Sequence, residues 1–310
     1  MTRPPRGHVL LVGVTTRALA VSAAQAGYRV TAIDAFGDLD LCSAADVICA
    51  GPPGRRFSPH AAAEIGSALE ADLVAYTSNL ENHPEAVVRL GAGARLAGNS
   101  PEVLRRVRNP IALMNVLRRA GFEVPLTRAG HPGRVAPGAR WLLKNRHSGG
   151  GHGIMPWSPG LPVTRRRYLQ QWIRGIPGSV VFAANGRDAV VLGLSRQLVG
   201  DTRFGAKRFR YCGSMLAGPR DLFPQQQRLE STAARLAQVV SCEFGLVGLN
   251  GIDFIARDGV PYPIEVNPRC SASMELVQQA YGLSIFEVHA ASCAGSLPVA
   301  PPQAALTYGK

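Results

Sequence analysis

Pro263-Ile264-Glu265-Val266-Asn267-Pro268-Arg269 is the stretch of this chain whose residue types speak most directly of chemistry. On a strand, Glu265 and Asn267 stand two apart and share a face, while Ile264 and Val266 take the other. Upstream, Gly251-Ile252-Asp253-Phe254-Ile255 adds a carboxylate, provided that a hairpin carries Asp253 to the same side. A two-residue Asp258-Gly259 turn would pair Asp253 with Ile264 and point it away. A three-residue Arg257-Asp258-Gly259 turn, with Gly259 left-handed, pairs Asp253 with Pro263 and keeps it beside Glu265. The three-residue turn is expected. Asp253, Glu265 and Asn267 then offer three hard oxygen ligands with one or two charges. That set suits Mg²⁺, which completes its shell with water and substrate phosphate. The plain alternative is a solvated face of an edge hairpin, against which Asn-Pro-Arg directly after the strand argues.

A second constellation runs Trp141-Leu142-Leu143-Lys144, then Asn145-Arg146-His147-Ser148-Gly149-Gly150-Gly151-His152-Gly153-Ile154. A lysine ending an apolar strand before a glycine loop offers polyphosphate a fixed cation and bare backbone N–H groups. No Gly-Lys-Ser/Thr closes it, so it is not a P-loop, and alone a glycine-rich hairpin is more often a plain flexible turn. Lys144 carries information of its own: among 34 basic residues only Lys144, Lys207 and Lys310 are lysines. A chain that writes almost every cation as arginine has kept a compact ammonium here. Tyr168-Leu169-Gln170-Gln171-Trp172-Ile173-Arg174-Gly175 gains meaning only beside the other two, as a strand between subdomains whose backbone and Gln170 side chain can meet an adenine edge.

Elements must position these groups. The first hundred residues alternate as a parallel sheet requires. The apolar strand His8 to Val14 leads to a helix from Thr15 to Ala26 and a strand from Arg29 to Ala35. Then follow a strand Asp46 to Ala50, a helix Pro59 to Glu70, a strand Asp72 to Thr77, a helix Pro84 to Leu90 and a strand Arg95 to Ala97. The turn Gly13-Val14-Thr15-Thr16-Arg17 has one glycine where the dinucleotide fingerprint wants three. Asp34 therefore reads more readily as a strand-end cap than as a ribose ligand. A linker, Gly98-Asn99-Ser100-Pro101, opens helices from Pro101 to Arg108 and from Pro110 to Ala120. Beyond them come a loop from Gly130 to Gly138, strands Ala139 to Lys144 and Tyr168 to Ile173, and a hairpin of Ser179 to Ala184 with Ala189 to Leu198 across Asn185-Gly186. An amphipathic helix Gln225 to Phe244, a hairpin of Val247 to Ala256 with Val260 to Val266, a helix Ser284 to Gly295 and a mobile tail from Pro298 complete the expectation.

The 310 residues, 46% of them hydrophobic, suffice for two or three subdomain cores. No apolar run approaches the ~20 residues of a spanning helix, and the N-terminus lacks a signal-peptide pattern, which points to a cytoplasmic protein without a membrane partner. A net charge of +13 invites a nucleic-acid partner. The arginines are scattered, with Arg165, Arg166 and Arg167 the densest group, and no aromatic ladder runs between them, so nucleic acid is not expected. Six cysteines without a Cys-x-x-Cys pair read as buried, reduced thiols, and the seven histidines suggest no ligand cluster.

Lys144 with its glycine loop, the Gln170 to Ile173 hinge, Asp253, and Glu265-x-Asn267-x-Arg269 resemble, in order and spacing, the ATP-grasp superfamily. The resemblance covers nearly the whole chain and implies an α/β and α+β protein. A Rossmann-like pre-ATP-grasp domain (residues 1–98) would precede a two-subdomain ATP-grasp fold: a small subdomain with the glycine loop (99–173), a C-terminal subdomain with the metal site (174–297) and a tail (298–310). Tyr76-Thr77-Ser78-Asn79-Leu80-Glu81-Asn82-His83-Pro84 and Gly98-Asn99-Ser100-Pro101 look like the ATP-dependent carboligases related to biotin carboxylase in methanogens and methylotrophs. By resemblance, Lys144 contacts ATP phosphates and Gly149, Gly150, Gly151 and Gly153 close over them. Gln170, Gln171, Trp172 and Ile173 hold adenine. Asp253, Glu265 and Asn267 bind Mg²⁺, with Mn²⁺ as a substitute, and Arg269 steadies an acyl phosphate.

The implied activity is ATP-dependent joining of a small-molecule carboxylate to an amine, with one-carbon cofactor assembly as its setting and a homodimer as the assembly considered. The alternatives are a biotin-carboxylase-like carboxylation and a nucleotide-binding regulator without turnover. The chain departs from the superfamily in three places. A phosphate-binding lysine is replaced by Arg108-Asn109-Pro110, so that Arg106 or Arg108 must stand in. The adenine-site glutamate is Gln170, and the ribose acid expected near Ile176-Pro177 is missing. Arg196 or Lys207, in Ser195-Arg196-Gln197 and the Arg203 to Met215 stretch, could meet an anionic substrate group.

Overall fold

A computed structural model describes residues 6–50, 57–130, 139–216, 218, 221–301 and 304–310. All but the first residue of the expected loop at 130–138 lies outside them. The first domain comprises β1 (His8–Val12), α1 (Arg17–Gln25), β2 (Arg29–Asp34), α2 (Leu39–Ala44), β3 (Asp46–Cys49), α3 (Pro59–Ser67), β4 (Leu73–Tyr76), α4 (Pro84–Leu90) and β5 (Arg95–Ala97). Its strands pair in parallel in the order β3-β2-β1-β4-β5. β1 reads His-Val-Leu-Leu-Val and is buried almost throughout, as a central strand covered on both faces must be. Strand order reverses between β1 and β4, which opens a crevice at their carboxyl ends. Asp34 does not face it as a free ligand. Its Oδ2 accepts from the Thr16 N–H at 2.7 Å and hydroxyl at 2.8 Å, and its Oδ1 from the Phe36 and Gly37 N–H groups, so it is the strand-end cap expected.

α5 (Pro101–Val107) and α6 (Pro110–Arg119) each begin with proline in the first turn, behind the side-chain caps Ser100 and Asn109. A second, antiparallel sheet follows, built of β6 (Thr127–Arg128), β7 (Trp141–Asn145), β8 (Met155–Pro156) and β9 (Arg167–Gln171) in the order β6-β9-β7-β8. The third region holds β10 (Ile176–Asn185), β11 (Ala189–Val199), β12 (Tyr211–Leu216), α7 (Gln226–Phe244), β13 (Val247–Arg257), β14 (Val260–Asn267), α8 (Met274–Tyr281), α9 (Ile285–Cys293) and β15 (Tyr308–Gly309). Its six strands order as β14-β13-β10-β11-β12-β15. The expectation of a mobile tail is corrected here, since Tyr308 and Gly309 pair with Leu216 and Met215 at the sheet edge.

Period-two alternation along β10 splits two cores. Val180, Phe182 and Ala184 meet the Leu229, Leu236, Val240 and Phe244 stripe of α7, while Val181 and Ala183 meet Met274, Val277, Ile285 and Phe286. The second core is continuous with α1 and β1 of the first domain, so the parallel sheet and the third sheet are held by shared apolar packing. The fold is thus the mixed α/β and α+β architecture expected. Buried thiols were not a correct expectation: only Cys270 is buried, Cys212 and Cys293 are half-buried, and Cys42, Cys49 and Cys242 are exposed, all six as free thiols. Among the described residues no helix is long and apolar enough to cross a membrane.

Candidate active site

The hairpin β13–β14 closes differently from the expected three-residue turn. Arg257 pairs with Val260 across a two-residue Asp258-Gly259 turn, both residues left-handed at φ 53° and 70°, which is the twist that a tight hairpin favours. That register alone would turn Asp253 away. A bulge corrects it: Phe254 pairs with Pro263, yet Asp253 pairs with Glu265 and Gly251 with Asn267, which leaves Ile264 as the extra residue. Asp253, Glu265 and Asn267 therefore share one face after all. Asn267 Nδ2 donates to Asp253 Oδ2 at 3.0 Å, and Gln197 Nε2, from β11, donates to Asp253 Oδ1 at 3.0 Å. Burial, together with the adjoining Glu265 carboxylate, raises the Asp253 pKa from 3.8 to about 7. Two carboxyl groups crowded in one buried place resist ionising together unless a cation joins them.

Lys144 reaches this face from the second sheet. It is 5% exposed on β7, and its Nζ donates to Gln170 Oε1 at 2.7 Å. Burial lowers its pKa, opposed by Glu265 and Asp253 and assisted by Arg108. Gln170 is itself 1% exposed, and its Nε2 donates to the Ile264 carbonyl at 3.3 Å, so its amide bridges Lys144 to the carboxylate strand. Gln171 donates its backbone N–H to Leu126 O at 2.7 Å, and Trp172 donates its own to Arg140 O at 2.8 Å. Trp172 packs edge-on against Phe209 at 5.8 Å, and Ile173 is buried beyond the end of β9.

Gly149, Gly150, Gly151 and Gly153 form a turn whose tip lies on the segment between β11 and β12. Gly150, Gly151 and Gly153 have φ of 60°, 75° and 71°. The Gly150 carbonyl accepts from the Tyr211 N–H at 3.2 Å, and a Cβ on Gly151 would run into the Phe209 carbonyl. Arg210 Nη1 lies 2.7 Å from His152 Nε2. His152, at the turn, lines with Lys207, Arg210 and Tyr211 an open polar hollow of about 540 Å³. The loop is therefore docked on the third region, with a basic hollow at the junction. Lys207 borders it, whereas Arg196 is exposed on β11.

Arg269 closes the opposite side. Its guanidinium donates to Glu81 Oε1 at 2.9 Å, to the Cys270 carbonyl at 3.1 Å and to Asn267 Oδ1 at 3.4 Å. Burial works against its charge, but Glu81, Asp253 and Glu265 outweigh that and hold its pKa above the ordinary value. Arg108, on the residue after α5, donates to Asn82 Oδ1 at 2.8 Å and to the Val266 carbonyl at 2.9 Å, and its Nη1 stands 3.7 Å from Glu265 Oε2. Arg106 turns elsewhere, to the Glu243 carbonyl and the Phe244 ring. Of the two arginines weighed as stand-ins, Arg108 is the one at the site. Gln197 and Glu81 join it without having been singled out. Gln197 stood in the quoted Ser195-Arg196-Gln197 run, where the role considered was given to Arg196. Glu81 sat in a quoted motif with no role attached.

The arrangement can hold a divalent cation on one wall and a polyanion between that cation and Lys144. Residues 107–273, which run from the last residue of α5 through the glycine loop and the carboxylate hairpin to the N-cap of α8, match the ATP-grasp domain family. Over 69 residues the chain is 32% identical to the carbamoyl phosphate synthase large chain of Neisseria meningitidis, a match that covers 22% of this chain and 6% of that one. Its fold is similar to pyruvate carboxylase of Rhizobium etli, with a TM-score of 0.75, 18% identity, and coverage of 96% of this chain and 30% of that one. N5-carboxyaminoimidazole ribonucleotide synthetase in an ADP complex gives 0.72 at 20% identity, covering 100% and 82%. Biotin carboxylase of Campylobacter jejuni in a β,γ-ATP complex gives 0.69 at 18%, covering 94% and 72%. The chain thus spans a small part of the curated relative and under a third of the first solved one, and at these identities the structures carry the fold alone. Since the domain match takes in more than half of the sequence and both walls of the site, the chain belongs to the ATP-grasp family.

Proposed function

We propose that this chain is an ATP-dependent carboxylate–amine ligase, with Lys144, Asp253, Glu265, Asn267 and Arg269 at its centre. The observation that carries this reading is the convergence of a buried ammonium on a paired-carboxylate face, drawn from two different sheets. The donor set fits Mg²⁺. Asp253, Glu265 and Asn267 offer hard oxygens, and the raised Asp253 pKa marks an excess of buried negative charge that a cation would relieve. When bound there, Mg²⁺ supplies charge neutralisation for phosphoryl transfer. ADP and β,γ-ATP in the complexes of two similar folds support a nucleotide in this one. Residues 1–98, 99–173 and 174–297 would then serve as the pre-ATP-grasp domain and the two lobes of the clamp, with Gly149 to Gly153 as the cover.

In this reading Lys144 steadies the transferring phosphates and the Gln170 amide fixes the Lys144 ammonium; with the Gln171 and Trp172 N–H groups held by Leu126 and Arg140, the base falls to the remaining backbone groups of the hinge. A carboxylate oxygen of the acid substrate takes the γ-phosphoryl group and ADP leaves. The amine lone pair then attacks the acyl carbon, phosphate departs with the bonding electrons, and the amine proton passes to solvent. Arg269, tied to Glu81 and Asn267, holds positive charge where the acyl phosphate forms, and the docked glycine turn keeps water away from it. Carboxylation from bicarbonate remains the second reading, favoured by the fold shared with biotin carboxylase. One-carbon carriers as substrates follow from the Tyr76 to Pro84 resemblance and from nothing in the site. The test is oxygen transfer. With ¹⁸O in the carboxylate of a panel of acids, ADP release should need both acid and amine, and the label should enter phosphate. Label entering from bicarbonate instead would favour carboxylation, and nucleotide binding without ADP release under any acceptor would favour a regulator.

A further inference from the structure

Next to the Glu81-Asn82 segment that meets Arg269 and Arg108, His60, His83 and Glu85 bring their side chains together. His60 lies in the first turn of α3, His83 is the N-cap of α4 and Glu85 sits in that helix's first turn. Glu85 Oε1 stands 3.4 Å from His60 Nε2 and 3.6 Å from His83 Nδ1. Both separations exceed the roughly 2.7–3.2 Å of a sound N–H···O bond, so hydrogen bonding does not explain two imidazoles gathered on one carboxylate oxygen. A tetrahedral ion does. Ligand bonds of about 2.0–2.2 Å set neighbouring ligand atoms about 3.3–3.6 Å apart. The three ligand atoms all lie within 4.8 Å of one another, close enough for one ion to reach all of them.

We infer that His60, His83 and Glu85 form a site for a divalent transition ion of the zinc class, with a fourth position open to water. Two imidazoles and one carboxylate prefer Zn²⁺ or Co²⁺ to the hard Mg²⁺ of the carboxylate hairpin, so the two sites select different ions. The ion would clamp the start of α3 to the start of α4. It would also fix His83, whose ring lies 6.4 Å from that of His147, in the turn that leads to the glycine loop. Nothing in this inference depends on the ligase reading.

Co²⁺ is the probe, added to the full chain in excess Mg²⁺. The parent should take up one ion with a visible band of tetrahedral type that Zn²⁺ erases, and Zn²⁺ should raise the parent's melting temperature. His60→Ala and Glu85→Gln should lose both effects. The side chains of His60 and Glu85 are 60% and 57% exposed, so the variants should keep the parent's circular dichroism. Absence of the band in the parent would overturn the inference. So would a band with thiolate absorption that survives His60→Ala, which would put the ion on exposed Cys42, Cys49 or Cys242.

Discussion

Burial makes the charge on Lys144 hard to hold, and the protein holds it with one amide oxygen at 2.7 Å and the carboxylates beyond. A guanidinium is wider, planar and differently hydrated, so Lys144→Arg restores charge without restoring that geometry. Steady-state kinetics should show kcat/KM for ATP lower by roughly tenfold or more in this variant, about 1.4 kcal/mol of transition-state stabilisation. Equality within about twofold would reduce Lys144 to diffuse charge and move the phosphate role to Arg108. Asp253 yields a prediction of the opposite sign. An acid whose folded pKa is raised from 3.8 to about 7 destabilises the metal-free fold where it is ionised, and that penalty fades as pH falls from 7 towards 4. Asp253→Asn should therefore melt higher than the parent at pH 8 without metal, by at most about 4 kcal/mol, and should lose activity. A variant less stable than the parent would refute the crowding argument. Glu265 and Asn267 were legible from period two alone. Asp253 reached their face by a bulge that alternation cannot reveal, and Arg108 by a turn whose direction no local pattern specifies.

At the scale of elements, the glycine turn is where backbone conformation and close approach act together. Gly151 is left-handed and abuts the Phe209 carbonyl, so Gly151→Ala meets both strain and a collision with backbone. The variant should lose about 1–2 kcal/mol of stability. More tellingly, it should raise the ATP KM and the rate of ADP release without acceptor, because the cover no longer docks beside Tyr211. Unchanged kinetics would mean that the turn is only a connection. The proline-started helices α4, α5 and α6, the last two with side-chain caps, were foreseen to within a residue or so. The short strands β3 and β5 were foreseen as well, but α2 and β12 were not. α2 is six residues long with Leu39 exposed, and β12 carries Gly213 in its middle, so neither presents a sustained period. The Asp258-Gly259 turn was misread for a different reason. Both the two- and three-residue closures suit that dipeptide, and the observed two-residue closure brings Asp253 to the shared face only through the bulge at Ile264.

The whole molecule depends on how the parallel domain is seated on the third sheet, and His289 is one of its pins. Nδ1 accepts from the Leu249 N–H at 2.9 Å, and Nε2 donates to the Ala97 carbonyl at 3.0 Å, which joins β13 to β5 through α9. Burial lowers its pKa. The neutral ring therefore contributes stability above about pH 6.5 that is lost as pH falls below that value, while the unfolded chain gains a proton. His289→Ala leaves two buried backbone groups unpaired and should cost about 3 kcal/mol in denaturant melts at pH 7.5, with a smaller loss at pH 5. The fold class was readable because alternation in the first hundred residues and Pro/Gly-punctuated strands afterwards demand different sheets. The shared core that welds them was not, since Phe286 and Leu11 are far apart in sequence and carry no mark of their meeting. The proposed function makes Lys144 and the carboxylate hairpin one phosphate-and-metal site. Calorimetric titration of ATP, with and without Mg²⁺, into the parent and Glu265→Gln tests it most directly. ATP should bind the parent tightly only with Mg²⁺, and Glu265→Gln should abolish the Mg²⁺ enhancement while keeping the parent's circular dichroism. Equal ATP affinity in the two proteins, or no dependence on Mg²⁺ in the parent, would contradict it.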